Sequence, residues 1–385
     1  MTSQSVFNIG LIRLTDAAPL IIARELGYFA AENIEVTLSV EPSWANIADK
    51  LSYGLLDGAM LLPPLALALH LGLSGSGGPE RIIVPAALSL NGNTVTLAER
   101  WAAPLLGMGP SPAIGTARRF RALIHERGEK PVLAVVHTFS THNFLLRYWL
   151  AAGGIEPERD VSFTVVPPAE TAAALAAGKI DGFCAGAPWG EVAARGQFGR
   201  TVATSSAIWN HGTEKILAVR RLAAEEDPGR MQAVLRALLR AAAYCDNPAN
   251  APGVAGILAQ DRYLGLSPEI IRTSLPGGAS ENGTDVSVFF ANAATFPWLS
   301  HAAWFLGQMR RWGYLGMGID TDAATAIFRP DLYAQAAAAV GVSVPATAGK
   351  SEGKHARDWR LPASPNPIAM GPDSFLDGAV FDPTD

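Results

Sequence analysis

Apolar and polar positions along this chain fall into short blocks whose period keeps switching. "FNIGLIRL" (7–14) is a strand-length apolar run, and "AAPLIIARELGYFAAEN" (17–33) has the three-to-four spacing of an amphipathic helix, with Asp16 placed as its N-cap. "IEVTLSV" predicts a strand, "SWANIADKLSYGLL" a helix, and "DGAMLL" a short buried strand. "IIVPAALSL" follows as a strand after the loop "SGSGGPE". The sequence then repeats the rhythm: helix "TARRFRALIHERG", strand "PVLAVVH", helix "THNFLLRYWLAAGGI", strand "DVSFTVV", helix "AETAAALAAGKI" and strand "DGFCAGAP". Such βαβ alternation predicts mostly parallel sheets covered by helices on both faces. After Lys215 the pattern is mainly helical. Beyond Val344 it turns to Pro, Gly, Ser and charge, the composition of an extended surface strap or tail. The basic piece "GKSEGKHARDWR" inside that tail reads as a solvated segment.

Two blocks resemble each other. "ANIADKLSYGLLDGAMLLPP" and "AETAAALAAGKIDGFCAGAP" each run helix, Gly, apolar residue, Asp-Gly, then a short strand ending at proline. An internal duplication of this kind predicts two similar α/β lobes. Residues 1–92 read as the first part of lobe I, 93–211 as lobe II, 212–343 as the return to lobe I, and 344–385 as the strap. Asp57 and Asp181, each before a glycine after a helix, read as turn-fixing residues.

Composition narrows the function. The 385 residues are 49% hydrophobic and 17% charged, enough for a sizeable core. The net charge of -5 offers no broad basic face and argues against nucleic-acid binding. Two cysteines, Cys184 and Cys245, with no CxxC, suggest neither disulfides nor a zinc site. The phosphate-binding, nucleophile-elbow and metalloprotease motifs are absent, so no enzyme, cofactor or metal is expected. A nucleophilic pair of Cys184 with His142 is the weaker reading beside a small buried thiol. The opening "MTSQSVFNIGLIRLTDAAPL" has no leader pattern, and "AMLLPPLALALHLGL" is interrupted by Pro63, Pro64 and His70. The expectation is a soluble, cytoplasmic chain.

Candidate chemistry concentrates at "TFSTH" (138–142), where a buried strand hands over to a helix. Taken alone, this turn reads as Ser140 or Thr141 capping the helix, with His142 a surface residue of its first turn. A helix N-terminus also favours an anion, and Thr138, Ser140, Thr141 and His142 could add donors. Trp44 starts another helix in lobe I. Asn93 lies where the chain leaves lobe I and Lys215 where it returns, so both belong at the cleft between lobes. A lysine there is costly to bury without an anion. Together Trp44, Asn93, Thr141, His142 and Lys215 predict an anion cleft, with Ser140, Cys184, Pro188 and Trp189 placed just behind it.

These residues resemble a known family. "AAPLIIARELGYFAAENIEVTL", the block from Thr141 to Gly190, "IWNHGTEKILAVR" and "DGAVFDP" are similar to the ABC-transporter solute-binding proteins for nitrate and bicarbonate. The resemblance implies a type II periplasmic-binding-protein fold. It carries the family's histidine onto His142, its lysine onto Lys215, its tryptophan onto Trp44 and its glutamine onto Asn93. Asn93 shortens the amide's reach, and Ser140 stands where glycine is usual. With no leader in view, the chain looks most like the cytoplasmic NasS-type branch. That branch implies a nitrate or nitrite sensor, which holds a NasT-type antiterminator protein and releases it when the anion binds. The alternatives are the binding component of a nitrate or bicarbonate transporter, and a pyrimidine-precursor-type enzyme or binding protein.

Nitrate accepts hydrogen bonds and donates none, so a ring of donors suits it. Bicarbonate carries an O–H and wants an acceptor or a metal, so Lys215 predicts nitrate or nitrite over bicarbonate. The anion is expected to bridge Trp44 and Lys215 to His142 and close the cleft, which would alter the partner's surface.

Overall fold

Ten strands build two sheets that share one plan. The computed structural model describes residues 6–74, 82–107, 112–279, 283, 285–316 and 318–383. The strands are β1 (Phe7–Leu11), β2 (Val36–Val40), β3 (Gly58–Leu61), β4 (Ile82–Leu90), β5 (Asn93–Ala98), β6 (Val132–Val135), β7 (Ser162–Val165), β8 (Gly182–Gly186), β9 (Gly199–Thr204) and β10 (Thr213–Arg220). The first sheet runs β2-β1-β3-β10-β4 and the second β7-β6-β8-β5-β9. β1 is parallel to β2 and β3, as β6 is to β7 and β8. β10 then lies antiparallel between β3 and β4, and β5 antiparallel between β8 and β9. The two-lobed α/β architecture stands, but each sheet is mixed where the βαβ rhythm predicts mostly parallel pairing. The physical reason is connectivity: β5 and β10 enter their sheets from the other lobe and so run against their neighbours.

The duplicated sequence blocks occupy equivalent posts. Asp57 Oδ2 accepts the backbone N–H of Asn8 at 2.8 Å, and Asp181 Oδ2 accepts that of Val132 at 2.9 Å. In both lobes the aspartate joins the first strand to the third, which fixes the turn that feeds the third strand.

The chain passes between sheets at residues 91–92 and again between Thr204 and Thr213. At the first crossing Gly92 has φ +91, and a Cβ there would meet Ser287 Oγ at 2.5 Å, so only glycine fits. Buried Asp285 ties the two crossings together, accepting from Gly92 N (3.1 Å), Ser206 N (3.0 Å) and the hydroxyls of Ser205 and Ser206.

Past Val344 the chain straps the body. Val344–Pro345 pairs with Ala363–Ser364, and Trp359–Leu361 with Ile368–Met370. Phe375 then stacks on Trp209 (5.4 Å, 19°) and Trp304 (5.8 Å, 20°). Part of the segment read as solvated is buried. Glu352 is fully enclosed, accepts from Ser300 Oγ at 2.8 Å, lies 3.2 Å from His301 Nε2 and pairs with Lys350. Charge on a segment marks it as exposed only when it has no counter-charge; here Lys350 and Glu352 of the strap neutralise each other, and Ser300 of the body adds a hydrogen bond. The "SGSGGPE" loop, beyond Ser74, lies outside the described residues. Among the described residues no helix is long and apolar enough to cross a membrane.

Candidate functional site

Each candidate residue is set by a turn or a crossing. Ser140 is the N-cap of the helix Thr141–Ala152: its Oγ accepts Asn143 N–H at 3.0 Å and donates to His137 O at 2.7 Å. Its hydroxyl is therefore spent on the helix, and Ser140 does not offer the anion a donor. Thr141, the other residue read as a cap, keeps a buried Oγ1 with no partner in the protein. His142 follows in the first turn and is fully buried rather than a surface residue. On the other lobe Ser43 caps the helix Trp44–Ser52 by accepting Asn46 N–H at 3.2 Å, which leaves Trp44 at the first helical position, buried.

The two lobes supply matched pairs. Asp16 follows β1 as His142 follows β6, and Asn93 begins β5 as Lys215 sits near the start of β10. All four come from strand ends beside the crossings, where α/β sheets place their ligands. Asp16 does not cap its helix. It lies in the 3-10 turn Thr15–Ala17, makes no cap bond, and brings Oδ2 to 2.8 Å from Lys215 Nζ.

Lys215 also contacts Glu214 Oε1, and its Nζ stands 5.6 Å from the Trp44 ring. Asn93 Nδ2 donates to Glu214 Oε2 at 2.5 Å, and His142 Nε2 lies 3.2 Å from Glu214 Oε1 outside hydrogen-bond geometry. Asp16, Trp44, Asn93, His142, Glu214 and Lys215 are all essentially inaccessible to solvent.

Burial dominates the electrostatics. It pushes the carboxyls of Asp16 and Glu214 up, against the pull of Lys215. Burial opposes the charge on Lys215, but the two carboxylates outweigh it and hold its pKa above the ordinary value. Burial, with Lys215 nearby, drives His142 well below its usual range, so its imidazole is neutral. Cys184, inside β8, has its thiol pushed well up by burial and by the Glu214 carboxylate. Both His142 ring nitrogens lack a hydrogen-bond partner and the Cys184 thiol is held protonated, so nothing here pairs them as base and nucleophile.

Several buried polar atoms find no partner in the protein: Trp44 Nε1, Thr141 Oγ1, both nitrogens of His142, Asn93 Oδ1 and Asp16 Oδ1. Buried polar groups are nearly always paired; other such atoms, among them Trp101 Nε1 and Trp312 Nε1, lie elsewhere, but those of Trp44, Asn93, His142 and Asp16 gather around one buried lysine, as at a ligand site. The lobes close around it. Trp189 Nε1 donates to Arg13 O at 3.1 Å, and Thr15 N donates to Ala187 O at 2.9 Å, beside Pro188. Trp189 and Pro188 thus join the lobes rather than face the anion.

Three contributors escape sequence reasoning. Gly186 is one: a Cβ there would lie 3.5 Å from Asn93 Oδ1 and 3.6 Å from Asp16 Oδ2, so the absent side chain leaves the cleft open. The local pattern at Asp16 predicts a helix cap, and nothing in the strand pattern singles out Glu214 beside Lys215, since neighbours on a strand point to opposite faces. Irregular pairing of β10 with β4 at Thr213, Lys215 and Ile216 breaks that alternation, and Glu214 and Lys215 both reach the cleft.

A sealed polar cleft at the crossings of two similar α/β lobes defines a solute-binding protein of the periplasmic-binding-protein fold. The model of the NMT1-like family matches residues 2–259, and the chain belongs to that family. It is 34% identical over 390 residues to the nitrate/nitrite binding protein NrtA of Synechococcus elongatus, covering 98% of this chain and 83% of that protein. It is 29% identical over 400 residues to the bicarbonate-binding protein CmpA of the same species, covering 98% and 84%. Among solved structures it is similar to the periplasmic nitrate-binding protein NrtA from Synechocystis PCC 6803, with a TM-score of 0.85, 28% identity, and coverage of 98% and 96%. The chain spans about half the length of the ATP-binding transport proteins it also matches. The relatives it covers nearly end to end are solute-binding proteins, not enzymes.

Proposed function

We propose that this chain is the solute-binding component of an ABC importer for a small planar oxyanion, nitrate, nitrite or bicarbonate. The observation that carries this reading is the group of partnerless polar atoms sealed around Lys215. Trp44 Nε1, Thr141 Oγ1, His142 and the Lys215 ammonium supply directed donors and one positive charge. An acceptor-only anion needs no more than that. The names of NrtA and CmpA support the same ligand class.

Bicarbonate is a better candidate than Lys215 alone predicts. Asp16 Oδ1 and Asn93 Oδ1 are acceptors without a partner, and either suits the O–H that nitrate lacks. A cytoplasmic sensor holding a NasT-type antiterminator would use the same residues, so the pocket favours neither role. The transport relatives support the importer, and cell fractionation distinguishes the two, since an importer component works outside the cytoplasmic membrane. The site itself is tested by calorimetric titration with nitrate, nitrite, bicarbonate and sulfate. At least one of the first three is expected to bind in preference to sulfate; binding of none of them overturns the reading.

A further inference from the structure

The cleft holds more negative charge than an anion site needs. Lys215 is one ammonium between two carboxylates, Asp16 and Glu214, and all three are out of solvent. His142 and Cys184, the other titratable groups beside them, are neutral. The groups facing Glu214 come from five elements: Lys215 on β10, Asp16 after β1, Asn93 on β5, His142 on the helix Thr141–Ala152, and Cys184, held as a thiol, on β8. Lys215 is the only charged donor among them. An anion added to this chamber has no further cation to pair with. A charge buried without a partner is neutralised by a shift in protonation.

We propose that the anion enters this cleft together with one proton, which lodges on Glu214. The inference rests on the oxyanion reading of the site. With Asp16 and Glu214 ionised beside the Lys215 ammonium, the empty cluster carries one net negative charge, and a monoanion joining it asks for one proton. The step is a simple transfer: a solvent proton is bound by the Glu214 carboxylate, and the incoming anion takes over as the second negative partner of Lys215. Glu214 suits the role by position. It accepts from the ammonium through Oε1 and from the Asn93 amide through Oε2, bonds that favour its ionised form in the empty cleft, and the incoming anion brings the acceptor that its O–H then needs. Burial already pushes its carboxyl upward, as it does that of Asp16, and a bound anion raises both further. The consequence is shared by the whole ligand class: nitrate, nitrite and bicarbonate each add one negative charge, so each draws one proton from solvent.

Calorimetry of nitrate binding in buffers of different ionisation enthalpy, repeated over a pH series, tests this on the full chain. The expected result is about one proton taken up per nitrate, with Kd rising up to tenfold per pH unit on the alkaline side. Glu214→Gln is expected to bind nitrate without proton uptake and with a flat pH profile, and Asp16→Asn to keep the uptake. Wild-type binding with no uptake and a flat profile overturns the proposal and leaves the oxyanion reading intact. Uptake that survives Glu214→Gln and vanishes in Asp16→Asn overturns the assignment to Glu214. No binding of nitrate, nitrite or bicarbonate at any pH removes both readings together.

Discussion

Nε2 of His142 and Oε1 of Glu214 lie 3.2 Å apart across the line where the two lobes meet, and neither side chain reaches solvent. The histidine comes from the first turn of a helix after β6, the glutamate from an irregular point on β10. Their approach brings a helix N-terminus with free donors against a buried lysine and its carboxylates. Opening the lobes would separate them, so the ligand site and the closed arrangement are one structure.

Lys215→Ala should abolish tight anion binding, with a loss of roughly ten- to hundredfold or more, the worth of a charge-assisted hydrogen bond. Titration of the variant with nitrate reads this directly. The variant should also be less stable, by about 3–5 kcal/mol, because Asp16 and Glu214 lose their buried counter-charge. The sign with pH is fixed: the deficit should be larger at alkaline pH, where both carboxylates ionise, and smaller as acid neutralises them. Thermal unfolding at several pH values checks this.

Trp44→Phe keeps a ring over Lys215 but removes the indole N–H, which has no partner in the protein. Anion affinity is expected to fall by about tenfold, near the worth of one hydrogen bond, with little change in the Tm of the unliganded protein. A Tm loss as large as that from a buried cavity, with affinity intact, would make Trp44 a packing residue only.

Glu352 governs an acid-sensitive part of stability. Burial alone would raise its carboxyl, but Lys350 and His301 hold it down at about 2. The depressed value means its stabilising contribution is complete above the ordinary carboxylate range near 4.5 and is lost as pH falls toward 2. The Tm difference between the wild type and Glu352→Gln should therefore be constant at neutral pH and shrink through that window. The contribution is about 3 kcal/mol at neutral pH.

Phe375 anchors the C-terminal strap between Trp209 and Trp304. Phe375→Ala should cost about 3–5 kcal/mol, the usual figure for a buried phenylalanine, and shift tryptophan emission to the red. An unchanged Tm and spectrum would mean that the strap adds nothing to the body.

Much of this molecule is written in its local patterns. The period of apolar residues places β1 to β4, β6 to β8 and several of the helices between them, since burial of one face imposes that period; β5, at the first crossing, is missed. The repeated Asp-Gly blocks announce the two lobes, and Asp57 and Asp181 keep the turn-fixing role that spacing suggested. Trp44, Asn93, His142 and Lys215, spread over 172 positions, gather around Glu214 and the Lys215 ammonium, with Thr141 next to His142 in the chain. The sequence alone determined most of the alternating strands and helices and the duplication, and it singled out the residues proposed here to hold the anion. Tertiary structure decided the rest: the mixed pairing, because β5 and β10 arrive from opposite lobes; the burial of Lys350 and Glu352; and the second charge sign in the cleft. No local pattern places Asp16 and Glu214 beside Lys215, because their approach depends on a distant turn and on an irregularity that turns a strand residue toward the other face.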